Sequence, residues 1–330
     1  MNKPEFKLID HPRKTIELTL DDGRIISGKR DATLEEFLAV IQDPVNPMIV
    51  GAIVDGVLRE LTYQMKRDAE ISLVTMADAD GARIYRRSLT FLLTAAFHRC
   101  FPKASIAIDH SVSSGGYYCQ VEGMADFSEK ELEKLKQAMR EMVDADVKFV
   151  RETVPLEEAI EHFRSVGELD KVRLLKYRKR KNLVLYRAGE TRDYHHGYMV
   201  PSAGYLKWFD LVLLGNAFTL RFPRRYAPTQ LSQMTSYPTL LKTFRAYGDW
   251  LDKLGIPSVG ALNDAIESGH IDEVILVSEA LHEMQISDIA EEIDRRKDQI
   301  SVILIAGPSS SGKTTTSKRL SIQMIARGIT

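Results

Sequence analysis

Residues 307–314 have the residue types and the spacing of a phosphate-binding loop (P-loop). Gly307, Gly312, Lys313 and Thr314 fit the pattern G-x-x-x-x-G-K-[ST]. Glycines let the backbone turn its N–H groups around a phosphate, Lys313 would reach the β- and γ-phosphates, and Thr314 would ligate Mg²⁺. The pattern therefore predicts a site for ATP and Mg²⁺, with Lys313 stabilising the phosphate charge. The residues predicted to bind the nucleotide are Gly307, Pro308, Ser309, Ser310, Ser311, Gly312, Lys313, Thr314 and Thr315.

The segments on either side of this loop predict the strand and the helix that such a site needs. Residues 302–306 form a short apolar run, typical of a buried parallel strand, and a helical pattern follows Lys313. Sixteen residues follow Thr314, whereas a nucleotide-binding domain needs on the order of a hundred more. The sequence thus predicts the front part of a longer protein, cut inside its catalytic domain. The alternative, a glycine- and serine-rich turn that only caps a helix, stays open.

The composition is that of an ordinary globular protein. The 330 residues are 44% hydrophobic and 28% charged, with a net charge of −1, which argues against attraction of the whole surface to nucleic acid or membrane. Two cysteines are too few for a disulfide framework. The chain starts without an apolar signal core and has no membrane span, so we expect a cytoplasmic protein without a membrane partner.

Residues 14–76 predict a small sheet wrapped on one helix. Asp-Gly turns at residues 22–23 and 55–56 join short alternating strands, and Thr33 with Glu36 forms a capping box. This order of elements predicts an α+β fold with a β-grasp outline. The predicted strands are 15–20, 25–27, 49–54, 57–58 and 70–76, and the predicted helix is 34–41.

Further along the chain, helical periodicity alternates with clusters of charge. An amphipathic helix is predicted at residues 128–144, and from about residue 230 the pattern predicts a helical connector. The run 176–181 holds five cations around Tyr177, which indicates either an RNA contact or a solvated chain segment. Two further clusters could also be no more than solvated surface. Arg221, Arg224 and Arg225 would otherwise indicate an RNA contact, and Glu279, His282 and Glu283 a metal site. The predicted connector helices are 238–254, 259–267, 271–282 and 286–297.

Four segments in order resemble the TGS domain of threonyl-tRNA synthetase and the domain that follows it. They are residues 71–93, 108–118, 154–163 and 193–202, and the resemblance covers about residues 14–215. It implies a β-grasp domain followed by an α+β domain that, in the synthetase, edits mischarged tRNA.

The editing chemistry is not expected in this copy. The His-x-x-x-His pair of the synthetase aligns with Phe91 and Ala95, and the later Cys-x-x-x-His pair aligns with His195 and Met199. Phe, Ala and Met cannot act as a general base or position water. The remaining candidates for a degenerate cleft are His110, His195 and His196. With Cys119 these would make a zinc site, but ordinary hydrogen-bonded histidines are favoured.

The whole order of segments, ending in GPSSSGKTTTSKRL, resembles bacterial uridine kinase-like proteins of the phosphoribulokinase and uridine kinase family. This resemblance implies four domains: a TGS-like β-grasp (1–76), a degenerate editing-like α+β domain (77–220), a helical connector (221–298) and the first strand, loop and helix of an α/β kinase domain (299–330).

Two hypotheses about function follow. The first, from the kinase resemblance, is an ATP-dependent phosphotransferase that moves the γ-phosphoryl group to a hydroxyl of a uridine-like nucleoside in the full-length protein, with this chain alone inactive. The alternative is an RNA- or nucleotide-binding regulatory module built from the TGS-like and degenerate editing domains. A third reading, a synthetase fragment with live editing, is disfavoured by Phe91, Ala95 and Met199.

Overall fold

The computed structural model describes residues 11, 13–41, 47–112, 115–233 and 238–329. These residues form an α+β structure with three sheets, which confirms the predicted class. It divides into a larger unit, Met1–Ala159 with Arg180–Phe244, and a smaller unit, Ile160–Lys179 with Arg245–Thr330. The four predicted domains, 1–76, 77–220, 221–298 and 299–330, stay predictions. Among the described residues, no helix is both long and apolar enough to cross a membrane.

The N-terminal part of the larger unit is a five-stranded mixed sheet around one helix. The strands lie in the order β2-β1-β5-β3-β4, with β1 parallel to β5 and the other neighbours antiparallel. Side chains of β1 alternate between exposed and buried, as its sequence predicts. These elements have the predicted order of strands and helix, and we call the five strands the β-grasp sheet; the β-grasp fold itself stays a prediction. The elements are β1 (Thr15–Leu20), β2 (Ile25–Lys29), α1 (Leu34–Leu38), β3 (Ile49–Val54), β4 (Val57–Arg59) and β5 (Ala69–Thr75).

Helix α1 starts where the sequence predicts and ends earlier. Thr33 and Glu36 form the predicted capping box, because the Glu36 N–H donates to Thr33 Oγ1 at 3.2 Å and the Thr33 N–H donates to Glu36 Oε2 at 2.7 Å. The helix stops at Leu38 rather than at residue 41. Leu34, Phe37 and Leu38 are buried and attach it to the sheet.

The rest of the chain up to Arg221 adds two more antiparallel sheets. One has the strand order β11-β12-β7-β6 and the other the order β10-β9-β8. Helix α3 confirms the amphipathic helix predicted at 128–144. The elements are α2 (Ala79–Cys100), β6 (Ser105–Val112), β7 (Gly116–Glu122), α3 (Glu129–Asp144), β8 (Val150–Pro155), α4 (Leu156–Ser165), α5 (Leu169–Lys176), β9 (Asn182–Ala188), β10 (Thr191–Asp193), a 3₁₀ turn (Ala203–Tyr205), β11 (Asp210–Leu214) and β12 (Ala217–Arg221).

Helix α2 runs through the main core of the larger unit. Its apolar side chains pack in one cluster with α3 and with β12, and Leu89, Phe91 and Phe218 are fully buried there. The β-grasp sheet joins this core, since Val50 and Met76 belong to the same cluster. Burial of so many apolar side chains is the main source of stability for this unit.

Buried polar contacts also attach the β-grasp sheet to the rest of the larger unit. The Tyr186 hydroxyl donates to Glu60 Oε2 at 2.5 Å, and Glu60 is only 6% exposed. Burial and the adjacent Glu60 carboxylate raise the pKa of Tyr186, so its hydroxyl keeps its proton. The Tyr205 hydroxyl donates to Glu35 in the same way, at 2.8 Å.

The smaller unit contains helices with little core. The helix predicted at 238–254 is confirmed as α6 (Pro238–Lys253), which begins in the larger unit, and the one predicted at 259–267 is confirmed as α7 (Val259–Glu267). The helices predicted at 271–282 and 286–297 are instead one helix, α8 (Ile271–Arg295), because residues 283–285 include no glycine or proline to interrupt it. The helix predicted after the loop is α9 (Lys313–Ile325), and Leu320 packs against Ile286, Ala290 and Ile293 of α8.

The strand predicted at residues 302–306 does not form. Val302 is 73% exposed and Leu304 is 88% exposed, and the segment carries no regular secondary structure. A parallel strand is stable only when a neighbouring strand takes its backbone hydrogen bonds. Among the described residues of the smaller unit there is no other strand to do so.

Candidate nucleic-acid interface

The residues predicted to bind ATP lie together in one exposed loop and the first turn of α9. Ser310 and Gly312 have positive φ values of 61° and 76°, so the backbone turns sharply before Lys313. Lys313 Nζ donates to the Pro308 carbonyl oxygen at 2.5 Å, and the side chain thus folds back over the loop. Thr314 and Thr315 are exposed at the start of the helix. Binding of ATP and Mg²⁺ by residues 307–315 stays a prediction.

The segments that resemble the editing site lie together in the larger unit. The ring of His195 packs edge-on against Phe91 of α2, with 5.3 Å between centroids. The Val200 N–H donates to Ser88 Oγ at 2.9 Å, which ties the segment after β10 to the same helix. Phe91 and Met199 are buried in the apolar core. At these two positions, where the synthetase has its editing residues, this protein therefore has buried apolar side chains. This agrees with the expectation that the editing chemistry is lost.

The predicted histidine candidates make separate contacts. His195 Nε2 lies 3.5 Å from Asp193 Oδ2, His196 is exposed, and His110 lies on β6, stacked on Tyr118. Burial raises the pKa of the Cys119 thiol to about 12, so it is a poor metal ligand at neutral pH. The part of the chain that the structure describes contains no cluster of three or more His, Cys, Asp or Glu that could hold a metal ion.

A cavity that sequence reasoning missed lies in the larger unit between α2 and the β6–β7 hairpin. Its volume is about 400 Å³. We call it the arginine cleft. One wall is a single face of α2, because positions i, i+3, i+4 and i+7 share a helix face. The lining residues are Arg83, Arg86, Arg87 and Thr90 on α2, Ile108 and Asp109 on β6, and Tyr117 on β7.

Each arginine of the cleft is held by a neighbour. Arg83 pairs with Asp80 at 2.7 Å, Arg86 Nε donates to the Ala82 carbonyl at 3.1 Å, and Arg87 Nη1 donates to the Tyr198 carbonyl at 2.6 Å. These contacts orient the guanidinium groups before any ligand arrives. Such preorganisation reduces the entropy cost of binding.

Gly197 makes room for Arg87. A Cβ atom at this position would lie 2.6 Å from Arg87 Cζ, and the φ of Gly197 is +114°. Both the space and the backbone angle therefore favour glycine here. The close approach lets the Arg87 guanidinium lie against the segment after β10.

The electrostatics of the cleft favour an anion. Burial lowers the pKa of Arg87, and the positive charges of Arg83 and Arg86 lower it further. Asp109 is the one carboxylate among the lining residues, and it accepts a hydrogen bond from Gln120 Nε2 at 3.0 Å. A bound anion would relieve the repulsion among the three cations.

The basic run at 176–181 is partly neutralised within the smaller unit. Lys176 pairs with Glu267 of α7 at 2.7 Å, and Tyr177 donates to Asp264 at 2.6 Å. That hydrogen bond raises the pKa of Tyr177 to about 12. Arg180 and Lys181 are exposed. Neutralisation of Lys176 favours the solvated alternative over an RNA contact at the start of the run.

This chain is similar in sequence to known proteins over about three fifths of its length. No family model matches it. A threonine–tRNA ligase of Methylococcus capsulatus is 32% identical over 202 residues, which is 61% of this chain and 32% of the relative. Those of Polaromonas naphthalenivorans and Clostridium kluyveri are 31% identical over 208 residues and 29% identical over 204, each match covering 62% of this chain and 32% of the relative. The chain thus spans about a third of the length of the curated relatives it matches.

These relatives correct the kinase hypothesis. They are named as tRNA ligases and not as uridine kinases, so the assignment to uridine kinase-like proteins, the phosphotransferase activity and the uridine-like nucleoside substrate are wrong. The α/β kinase fold at residues 299–330 is not observed either, since strand 302–306 is absent. An eight-residue loop pattern specifies a phosphate cradle but neither a fold nor an acceptor. The alternative, an RNA-binding module, fits the relatives better.

Proposed function

We propose that the larger unit is an RNA-binding module that holds RNA in the arginine cleft. The carrying observation is the convergence of three guanidinium groups on one face of α2, in a cavity lined by a single carboxylate. Guanidinium groups bind phosphate oxygens through paired hydrogen bonds. The proposed module corresponds to the predicted TGS-like and editing-like domains, residues 1–76 and 77–220, apart from residues 160–179 of the smaller unit, and we place it in the cytoplasm.

The class of RNA follows from the relatives. Proteins named threonine–tRNA ligase act on tRNA by that name, and this chain shares about 30% identity with them over some 200 residues. Transfer RNA is therefore the first ligand to test.

The proposed module has no ester-hydrolysis activity. Phe91, Ala95 and Met199 are buried at the aligned positions, and none of the three can accept or donate a proton. His195 packs on Phe91 with its Nε2 directed to Asp193, an arrangement consistent with a structural role. The proposal is thus binding without chemistry.

The phosphate loop at residues 307–315 is proposed separately as a site for ATP and Mg²⁺, with no reaction assigned to it. Its support is the sequence pattern together with the positive φ values at Ser310 and Gly312. The nucleoside acceptor of the kinase hypothesis is not part of this proposal.

The RNA proposal is tested by fluorescence anisotropy of labelled tRNA titrated with the full chain. We expect the double variant Arg83→Ala/Arg86→Ala to bind at least about tenfold more weakly, as loss of charged hydrogen bonds predicts. The slope of log K against log salt is negative, and the double variant should reduce its magnitude by about 1.4, since each contact to single-stranded phosphate contributes roughly 0.7. The side chain of Arg67 is 80% exposed and outside the cleft, so Arg67→Ala is the control for loss of a surface arginine, although it removes one charge where the double variant removes two.

Two results would contradict the proposal. One is an affinity and salt slope for the double variant equal to those of Arg67→Ala. The other is no measurable tRNA binding by the parent chain at low salt. Circular dichroism of each variant separates a lost contact from a lost fold.

A further inference from the structure

We propose that the arginine cleft recognises a terminal phosphomonoester on a nucleotide in preference to the phosphodiesters inside an RNA chain. This inference rests on the proposed function because it concerns the same cleft. The ligand group is a terminal phosphate, and it would belong either to the end of an RNA or to a free mononucleotide.

The charge of the lining distinguishes the two kinds of phosphate. Arg83, Arg86 and Arg87 line the cleft with one carboxylate, Asp109, so the lining residues carry a formal charge of +2. Asp80, outside the lining, offsets part of this charge through its ion pair with Arg83 at 2.7 Å. A phosphomonoester carries about −1.5 to −2 at pH 7 and offers three acceptor oxygens. An internal phosphodiester carries one negative charge and only two non-bridging oxygens, so it offers the three arginines less charge and fewer acceptors.

The hydrogen-bond donors match a group with several acceptors. Among the described residues, each of the three guanidinium groups donates one hydrogen bond to the protein, to Asp80, Ala82 or Tyr198. A guanidinium has five N–H donors in a planar fork. The cleft therefore keeps enough donors to surround three terminal oxygens.

The size of the cavity and its aromatic wall suit one nucleotide. A volume of about 400 Å³ lies at the small end of the range for ligand pockets. Tyr117 lines the wall opposite α2, and its ring is fixed edge-on against Phe222 with 4.9 Å between centroids. A base that stacks on such a ring gains about 1–3 kcal/mol without sequence preference.

The test uses the full chain and one labelled 12-nucleotide RNA in three forms, with a 5′-phosphate, with a 3′-phosphate and with neither. Free 5′-AMP and adenosine compete in parallel titrations. We expect one phosphorylated end to bind at least about tenfold tighter than the unphosphorylated RNA, and 5′-AMP to compete where adenosine does not. Arg83→Ala, at an exposed position, should remove most of the preference, and Arg67→Ala should keep it.

The outcomes separate this inference from the proposed function. Equal affinity for all three RNAs, with 5′-AMP no better than adenosine, overturns the inference while RNA binding stands. Direct binding of 5′-AMP but not of adenosine in a calorimetric titration, without binding of any RNA, supports the phosphomonoester site and overturns the RNA proposal. A preference that survives Arg83→Ala and Arg86→Ala places the phosphate elsewhere and also overturns the inference.

Discussion

The phosphate loop and the arginine cleft are opposite kinds of site. The loop matches a sequence pattern at every required position, yet the strand expected to support it is exposed and unpaired. The cleft matches no pattern, yet its cations are oriented by hydrogen bonds to a helix and a loop in the main core. The comparison teaches that a motif specifies local chemistry, whereas the rigidity of a site comes from the core beneath it.

The two cores differ in size. The main cluster of the larger unit contains thirty buried residues, whereas the cluster beside α9 contains four. Since stability from apolar burial grows with the area removed from water, the cleft has the more rigid support. Three predictions test this difference.

The largest effect is expected from matched leucine truncations in the two cores. Leu92→Ala, at a fully buried position of α2, should lower the free energy of unfolding of the larger unit by about 3–5 kcal/mol. Leu320→Ala should cost the smaller unit about 1–2 kcal/mol because its small cluster can collapse around the gap. Urea denaturation followed by tryptophan fluorescence measures both.

The two tryptophans allow each unit to be followed alone. Trp250→Phe leaves Trp208 as the reporter of the larger unit, and Trp208→Phe leaves Trp250 in the smaller one. Equal losses in the two units would remove the contrast between the cores.

An intermediate effect is expected at the glycine that makes room for Arg87. Gly197→Ala should weaken tRNA binding about tenfold, because a displaced Arg87 loses roughly 1.4 kcal/mol of contact. Gly215→Ala is the matched control, since its φ is also positive, at +64°, but no atom lies within 4 Å of the added Cβ. We expect the control to cost about 1 kcal/mol of stability without changing affinity. If Gly197→Ala and Gly215→Ala lost tRNA affinity equally, Gly197 would affect binding only through the stability of the fold.

The smallest effect is expected at the phosphate loop. Calorimetric titration should show Mg-ATP binding with a Kd of about 1 mM, because no strand among the described residues of the smaller unit supports the loop. Lys313→Ala should abolish that binding, whereas Lys318→Ala, exposed later on α9, should not. Micromolar affinity would break the comparison, since the loop would then be organised without a core. Unchanged binding by Lys313→Ala would show that the motif is not the site.

Elements with strong local signals were predictable from the sequence. The β-grasp strands have Asp-Gly turns between alternating residues, and α3 has both an apolar stripe and a capping box at Ser128. Helix α8 was predicted as two separate helices because residues 283–285 were interpreted as a polar turn. Their residue types are equally compatible with a continuous helix. Strand 302–306 was overpredicted because an apolar run meets the requirement of a strand only when a partner strand is present.

The candidate site was less predictable than the fold. Arg83, Arg86, Arg87 and Thr90 have the spacing of one helix face, which was the available signal. From the sequence alone, without strands β6 and β7 opposite it, that face is indistinguishable from an ordinary solvated helix surface. The wall formed by Ile108, Asp109 and Tyr117 is far away in sequence and comes close only through packing.

The sequence by itself determined the α+β class, the order of the N-terminal strands and helix, the phosphate-loop pattern at residues 307–315 and the apolar residue types at Phe91, Ala95 and Met199. Turn chemistry, periodicity and residue type are local properties, so a single chain records them directly. Only the tertiary structure decided that three arginines share a cavity with one carboxylate and that the apolar run at 302–306 stays exposed. Both depend on which distant segment lies opposite, and that is settled by long-range packing.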